Sequence, residues 1–97
     1  MNTIEFKWDE NENRLNLERY SLSFEDAKEV FNDKQALLIT DPDYPNQKGH
    51  YVVLGYCSNL KIFVVCQFSK ESNGLYRITA ARKAARAELK WYETETR

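Results

Sequence analysis

The chain has 97 residues, 42% apolar and 13% aromatic, enough for one domain, residues 1–97, with a modest core. A net charge of −1 excludes a protein that coats nucleic acid indiscriminately, and 30% charged residues is ordinary for a folded chain. The longest apolar runs, Ala36–Ile39 and Ile62–Cys66, fall far short of the roughly 20 residues of a membrane span.

The start, Met1-Asn2-Thr3-Ile4-Glu5-Phe6, has no basic region and no apolar leader, so a cytoplasmic protein is expected. Ile4–Trp8 alternates as a short strand. Asp9 starts a helix, with Glu12 three residues on as in a capping box. That helix runs through Leu15 to about Tyr20, weakened by Asn11, Asn13 and Asn16. Ser23 is a second N-cap with Asp26 at the third position, and Phe24, Ala27, Val30 and Phe31 form a helical stripe as far as Asn32. Leu22, just before the cap, can staple onto Ala27.

Ala36–Thr40 then leads as a strand into the loop Asp41–Gly49. The strands Tyr51–Cys57 and Lys61–Gln67 are joined by the hairpin-length Ser58-Asn59-Leu60. Lys70–Gly74 is a turn, followed by the strand Leu75–Thr79 and a helix from about Ala80 to Tyr92. The order β-α-α-β-β-β-β-α with short connections predicts an α+β fold. Its twisted antiparallel sheet should carry the two N-terminal helices on one side, with the last helix packed through Ala81, Ala85 and Leu89.

Charge is polarised along the chain. Glu5 to Asp33 holds nine acidic residues against four basic ones, whereas Arg77 to Lys90 holds five cations and one anion, Glu88. In a helix Arg82, Arg86 and Lys90 stack at i, i+4, i+8, where like charges repel by roughly a few tenths of a kcal/mol per pair. Such a stripe suits an external anion such as a phosphate backbone. The competing reading is a solvated face whose cations meet acidic side chains elsewhere in the fold.

Phe6-Lys7-Trp8-Asp9, the stretch from Asn16 to Asp33, Asp41, Gly55 and Arg77-Ile78-Thr79-Ala80-Ala81-Arg82-Lys83-Ala84 together resemble the BrnT family of bacterial toxins. The correspondence runs in order along essentially the whole chain. It implies a RelE-like fold, ribonuclease toxicity and a co-encoded antitoxin of ribbon-helix-helix type. The departures are specific. Arg19-Tyr20-Ser21 stands where the family shows K-H-G, Gly49-His50 where E-R precedes a strand, and Phe68-Ser69-Lys70 where T-E-R follows one.

Cutting RNA without a metal means activating a 2′-OH, stabilising a pentacoordinate phosphorane and protonating the leaving 5′-oxygen. Arginine suits the middle task, so Arg77 and Arg82 are the first catalytic candidates. Arg77 alternates with Ile78 and so faces the open side of the sheet, or else pairs with an N-terminal carboxylate. His50, the one side chain titrating near neutrality, and Glu88 are candidates for acid–base work. Lys48 and Tyr92 are weaker candidates, Tyr92 fitting packing better. Lys48, Lys70, Lys83, Arg86, Lys90 and Tyr92 are the expected RNA-binding set, with Lys83 and Arg86 positioning the backbone. Tyr51, Tyr56, Phe63 and Tyr76 either stack bases or form cross-strand pairs.

Other chemistries find little support. The three glycines are isolated, and Cys57 and Cys66 form no CxxC pair and, with a lone histidine, no metal set. Both cysteines read as buried thiols, and no metal or cofactor is expected. Two functional readings follow: a metal-independent endoribonuclease toxin that inhibits translation, or a catalytically weak homologue that serves mainly as the partner of a DNA-binding antitoxin.

Overall fold

The computed structural model describes residues 4–95; Met1–Thr3, which the leader expectation concerns, lie outside the described residues. The elements run β1 (Glu5–Lys7), α1 (Glu10–Tyr20), α2 (Phe24–Ala27), a 3₁₀ helix (Lys28–Asn32), β2 (Leu37–Thr40), β3 (His50–Cys57), β4 (Ile62–Ser72), β5 (Leu75–Lys83) and α3 (Arg86–Glu95). The five strands form one sheet in the order β1-β5-β4-β3-β2. β2 to β5 are an antiparallel meander, but β1 pairs parallel with β5, so the sheet is mixed rather than wholly antiparallel. The parallel pair closes the edge of the sheet farthest from β2, with the helices and the whole meander lying between β1 and β5 in sequence.

Both predicted caps are present. Asp9 accepts from the backbone N–H groups of Asn11 (2.7 Å) and Glu12 (3.2 Å), and Ser23 Oγ accepts from Asp26 N–H (3.1 Å). Glu12 does not complete a capping box; its carboxylate engages Arg77 instead. Helix α1 ends where Ser21 turns left-handed at φ 57°. The asparagines that weaken α1 are its tethers. Asn13 Oδ1 accepts from Phe24 N–H (2.9 Å). Buried Asn16 donates through Nδ2 to the carbonyls of Leu22 and Ala81 (both 2.8 Å), and its Oδ1 accepts from Ala81 N–H (3.1 Å). Where β1 no longer covers the outer edge of β5, the carboxamide of Asn16 takes the place of a neighbouring strand.

The second helix does not run unbroken to Asn32. It tightens after Ala27 into the 3₁₀ helix, whose three residues per turn place Ala27, Val30 and Asp33 in one line over the sheet. Approach is closest at Gly55, where an added Cβ would lie 3.0 Å from Val30 Cγ2 and 3.0 Å from Ala36 Cβ. Asp33 then takes N–H bonds from Tyr56 (2.8 Å) and Gln35 (2.9 Å).

The largest departure concerns the last helix. Ala80–Lys83 is strand: Lys83, Arg82, Ala81 and Ala80 pair with Val64, Val65, Cys66 and Gln67, and α3 begins only at Arg86. Alanine's helix preference is worth well under 1 kcal/mol per residue, so strand pairing against a long β4 overrides it. The Arg82, Arg86, Lys90 stripe therefore does not exist. Ala81 lies in the sheet core and Ala85 is exposed, leaving Leu89, Trp91 and Tyr92 to pack α3.

Two apolar clusters occupy opposite faces. On one, Leu22, Phe24, Ala27 and Val30 seal Val53, Cys57, Val64, Cys66, Phe68 and Ile78. On the other, Leu89, Trp91 and Tyr92 of α3 pack with Leu54, Val65 and Ala84 and their neighbours Leu37, Val52 and Phe63. The rest of that second face is uncovered.

Candidate active site

Arg77 and Arg82 are five residues apart, which in a regular strand points them to opposite faces. A bulge changes this. Gln67 pairs with Ala80 but Phe68 pairs with Ile78, so Thr79 is the extra residue in β5, and its Oγ1 bonds Gln67 O at 3.3 Å. Both arginines consequently stand on the uncovered face, Arg77 opposite Ser69 and Arg82 opposite Val65. His50 also pairs with Ser69, and Lys7 with Arg77, so Lys7, Arg77, Ser69 and His50 form one row across four strands.

The catalytic candidates fall into two groups. At one end Arg82 grips Glu88 with two 2.8 Å bonds and also donates to Lys83 O at 3.3 Å. Glu88 Oε1 accepts from Ala85 N–H at 2.7 Å, capping α3. The bonds from Arg82 hold the Glu88 carboxyl below the usual range despite partial burial, and Glu88 in turn raises Arg82. Glu88 is thus ionised and only weakly basic. At the other end Arg77 Nη2 lies 3.1 Å from Glu12 Oε1, the carboxylate pairing that the sequence left open. His50 is stacked on Tyr44 with ring centres 4.1 Å apart. Four steps along β4, from Val65 to Ser69, separate the two ends, roughly 13 Å.

The expected RNA-binding residues do not gather. Lys48, Lys83, Arg86 and Lys90 are exposed, and no ion pair among the described residues involves them. Lys70 lies over the rings of Tyr51 (4.9 Å) and Tyr76 (5.7 Å), on the opposite face from Arg77. Tyr51 and Tyr76 themselves join Phe68 in the aromatic packing of that face, while Tyr56 and Phe63 pair with each other at 5.1 Å. Tyr92 is turned inward. It is 8% exposed, its hydroxyl donates to Asp33 Oδ2 at 2.7 Å, and burial with the nearby Asp33 charge pushes its pKa up to about 12. It packs against Phe63, with ring centres 4.9 Å apart, the packing role that the sequence favoured for it. The two cysteines are buried and free; burial raises Cys57 to about 11 and Cys66 further.

A cavity of about 430 Å³ occupies the uncovered face. Its floor is Val52, Leu54, Val65 and Ala80; Arg82, Glu88 and Trp91 form one wall, Asp41-Pro42-Asp43 another, and Tyr20 of α1 overhangs it. Asp43 reaches back to β4 and accepts from Gln67 Nε2 at 3.0 Å. A second hollow of about 290 Å³, lined by Glu12, Arg19 and Thr79 among others, shares Tyr20, Gln67 and Ala80 with the first. The two make one groove along β5. Sequence reasoning missed Asp41, Asp43, Gln67, Trp91 and Tyr20 as groove residues, because loop curvature brings them together. Among the described residues no cluster of His, Cys, Asp and Glu is arranged to hold a metal ion, and no helix is long and apolar enough to cross a membrane.

The protein is a small α+β domain whose half-covered sheet carries Arg77 and Arg82 on its open face, Arg82 lining the cavity. The comparisons make this specific. The family model described as ribonuclease toxin, BrnT, of type II toxin-antitoxin system matches residues 8–88, and the chain belongs to that family. The crystal structure of the Brucella abortus ribonuclease toxin BrnT superposes with a TM-score of 0.65, covering 87% of this chain and 100% of that one. At 19% identity, that likeness is one of fold. No curated protein matches the sequence.

Proposed function

We propose that this chain is the toxin of a type II toxin-antitoxin module, of RelE-like type, and that it acts in the cytoplasm as a metal-independent endoribonuclease that blocks translation. The observation that carries this reading is the β5 bulge. It costs a ladder position yet brings Arg77 to the same sheet face as Arg82, which lines the groove, in a chain from a ribonuclease family.

Arg82 is the phosphorane-stabilising group. Its three bonds to Glu88 and Lys83 O engage three of the five guanidinium N–H donors, leaving two for phosphate oxygens. Glu88 orients it rather than acting as the base. The 2′-oxygen attacks the adjacent phosphorus, the bond to the 5′-oxygen breaks, and a 2′,3′-cyclic phosphate and a 5′-hydroxyl result. His50, roughly 13 Å along the sheet from Arg82, is too far to move these protons itself; with Arg77 beside it on the row it holds the next phosphate, and solvent water carries the protons. Lys48, Arg86 and Lys90 supply the exposed cationic surroundings, and Lys70 and Lys83, on the sealed side of the sheet, reach RNA only if the strand wraps to that face.

The co-encoded antitoxin, of ribbon-helix-helix type, inhibits by covering the same groove. The ion pairs that hold both arginines favour a second reading, a weak nuclease retained for antitoxin binding. The test is incubation of end-labelled single-stranded RNA with the purified chain in excess EDTA. Cyclic-phosphate products that vanish with Arg82→Ala are expected. Cleavage that requires added Mg²⁺ would overturn metal independence, and no cleavage under either condition would leave the binding reading.

A further inference from the structure

The wall formed by Asp41 and Asp43 has no part in holding phosphate, since carboxylates repel it. Asp41 is nevertheless buried, at 2% exposure, and lines the cavity. Its Oδ1 accepts from Asp43 N–H at 2.9 Å, an Asx turn that shapes the loop. Its Oδ2 accepts no hydrogen bond among the described residues, and no cation pairs with it there. No buried side-chain oxygen or nitrogen among the described residues is left without a partner, so Oδ2 is open to the cavity and can accept from a donor that enters it. Beside it stand further acceptors. Asp43 keeps lone pairs beyond its bond to Gln67 Nε2, and that bond leaves Gln67 Oε1 as another acceptor.

Aromatic side chains complete the cavity. Trp91 on α3 and Tyr20 at the end of α1 both border an apolar floor, the arrangement on which an unstacked base is received. Arg82 stands at the α3 side, where the backbone of the same nucleotide would pass.

Resting on the ribonuclease reading, we propose that this cavity is a nucleobase pocket selective for guanine. An all-acceptor wall discriminates among bases by their donors. Guanine presents two adjacent donors, N1–H and N2–H₂, which match a carboxylate side by side. Adenine and cytosine each offer one amino group next to a ring acceptor, and uracil one N–H between two acceptors. Asp41 and Asp43 would take the guanine edge while Trp91 and Tyr20 hold its faces.

The test uses the full chain and the four nucleoside monophosphates GMP, AMP, CMP and UMP, with binding followed calorimetrically. GMP is expected to bind roughly tenfold or more tighter than the others, the discrimination typical of one bidentate pair. Asp41→Asn keeps the Asx turn but puts an amide where the free oxygen was, and should erase the preference. Trp91→Leu should weaken all four nucleotides alike. Equal binding of the four, or a GMP preference untouched by Asp41→Asn, overturns the proposal. RNA cleavage mapped on the same samples separates the two readings. Cleavage with no guanine bias removes the pocket and leaves the nuclease, whereas a GMP preference without cleavage supports the pocket and removes the nuclease.

Discussion

The two faces of the sheet are built from alternate residues of the same strands, yet they have opposite characters. Val53, Val64, Cys66 and Ile78 look toward α2 and the 3₁₀ helix and are sealed. One step along each strand, Val52, Leu54, Val65 and Gln67 look toward α3 and the groove. The sealed face supplies the apolar burial that holds the fold together. The open face keeps charged groups at positions where a merely stable protein would put apolar ones. Arg77 and Arg82 are tolerated there because each is matched by a carboxylate from outside the sheet, Glu12 or Glu88. Stability and chemistry are thus divided by strand parity, and one bulge adjusts that parity.

The sharpest way to break this comparison is to cut into each face equally. Phe24→Ala, at a residue with 0% exposure on the sealed face, should lower stability by about 3–5 kcal/mol in urea unfolding. Ile39→Ala, at the groove margin, should change it by no more than about 1 kcal/mol. Similar losses would mean that the groove is a second core rather than a site.

Asn16→Ala should follow, at about 2–3 kcal/mol, because it leaves the buried Ala81 N–H and C=O and Leu22 C=O without partners. Hydrogen exchange at the Ala81 amide is the local readout, and unchanged protection there would refute the edge-capping role.

Arg82→Ala probes the open face alone. RNA cleavage is expected to fall on the order of 100-fold, a value typical of removing one transition-state donor. Stability should move by about 1 kcal/mol or less, since the ion pair is partly exposed. A large stability loss with cleavage preserved would make Arg82 a structural strut.

The smallest effect is a pH signature on the link between Asp33 and Tyr92. Tyr92 has its folded pKa raised to about 12, so its contribution is complete below the ordinary value near 10 and is lost as pH rises through about 12. Burial pushes Asp33 up, but the bonds from Tyr56, Gln35 and Tyr92 outweigh it and leave its pKa lowered. Its contribution is present above the ordinary carboxylate range and fades as pH falls through the lowered value. Tyr92→Phe should flatten the alkaline limb of a stability–pH curve and weaken the acid limb; curves that superimpose would exclude the link.

Local chemistry made much of this molecule legible. Asp9 and Ser23 announce the two helix starts because a capping side chain answers only its own next few N–H groups. The alternation in β3 and the first half of β4 is readable because one face of each is buried next to its hairpin partner. Gly55 and the Arg77-to-Ala84 segment carry the family resemblance in order. Tertiary structure alone decided whether Ala80–Lys83 would be helix or strand, since an alanine-rich segment leans only weakly to helix and β4 was long enough to pair with it. It also decided that Thr79 would bulge, that Glu88 rather than a ligand would meet Arg82, and that Asp41 would be buried facing a cavity. These outcomes rest on specific contacts, such as the 3.3 Å bond from Thr79 to Gln67 across two strands and the 2.8 Å grip of Arg82 on Glu88 across the strand-to-helix turn, which periodicity and propensity do not encode.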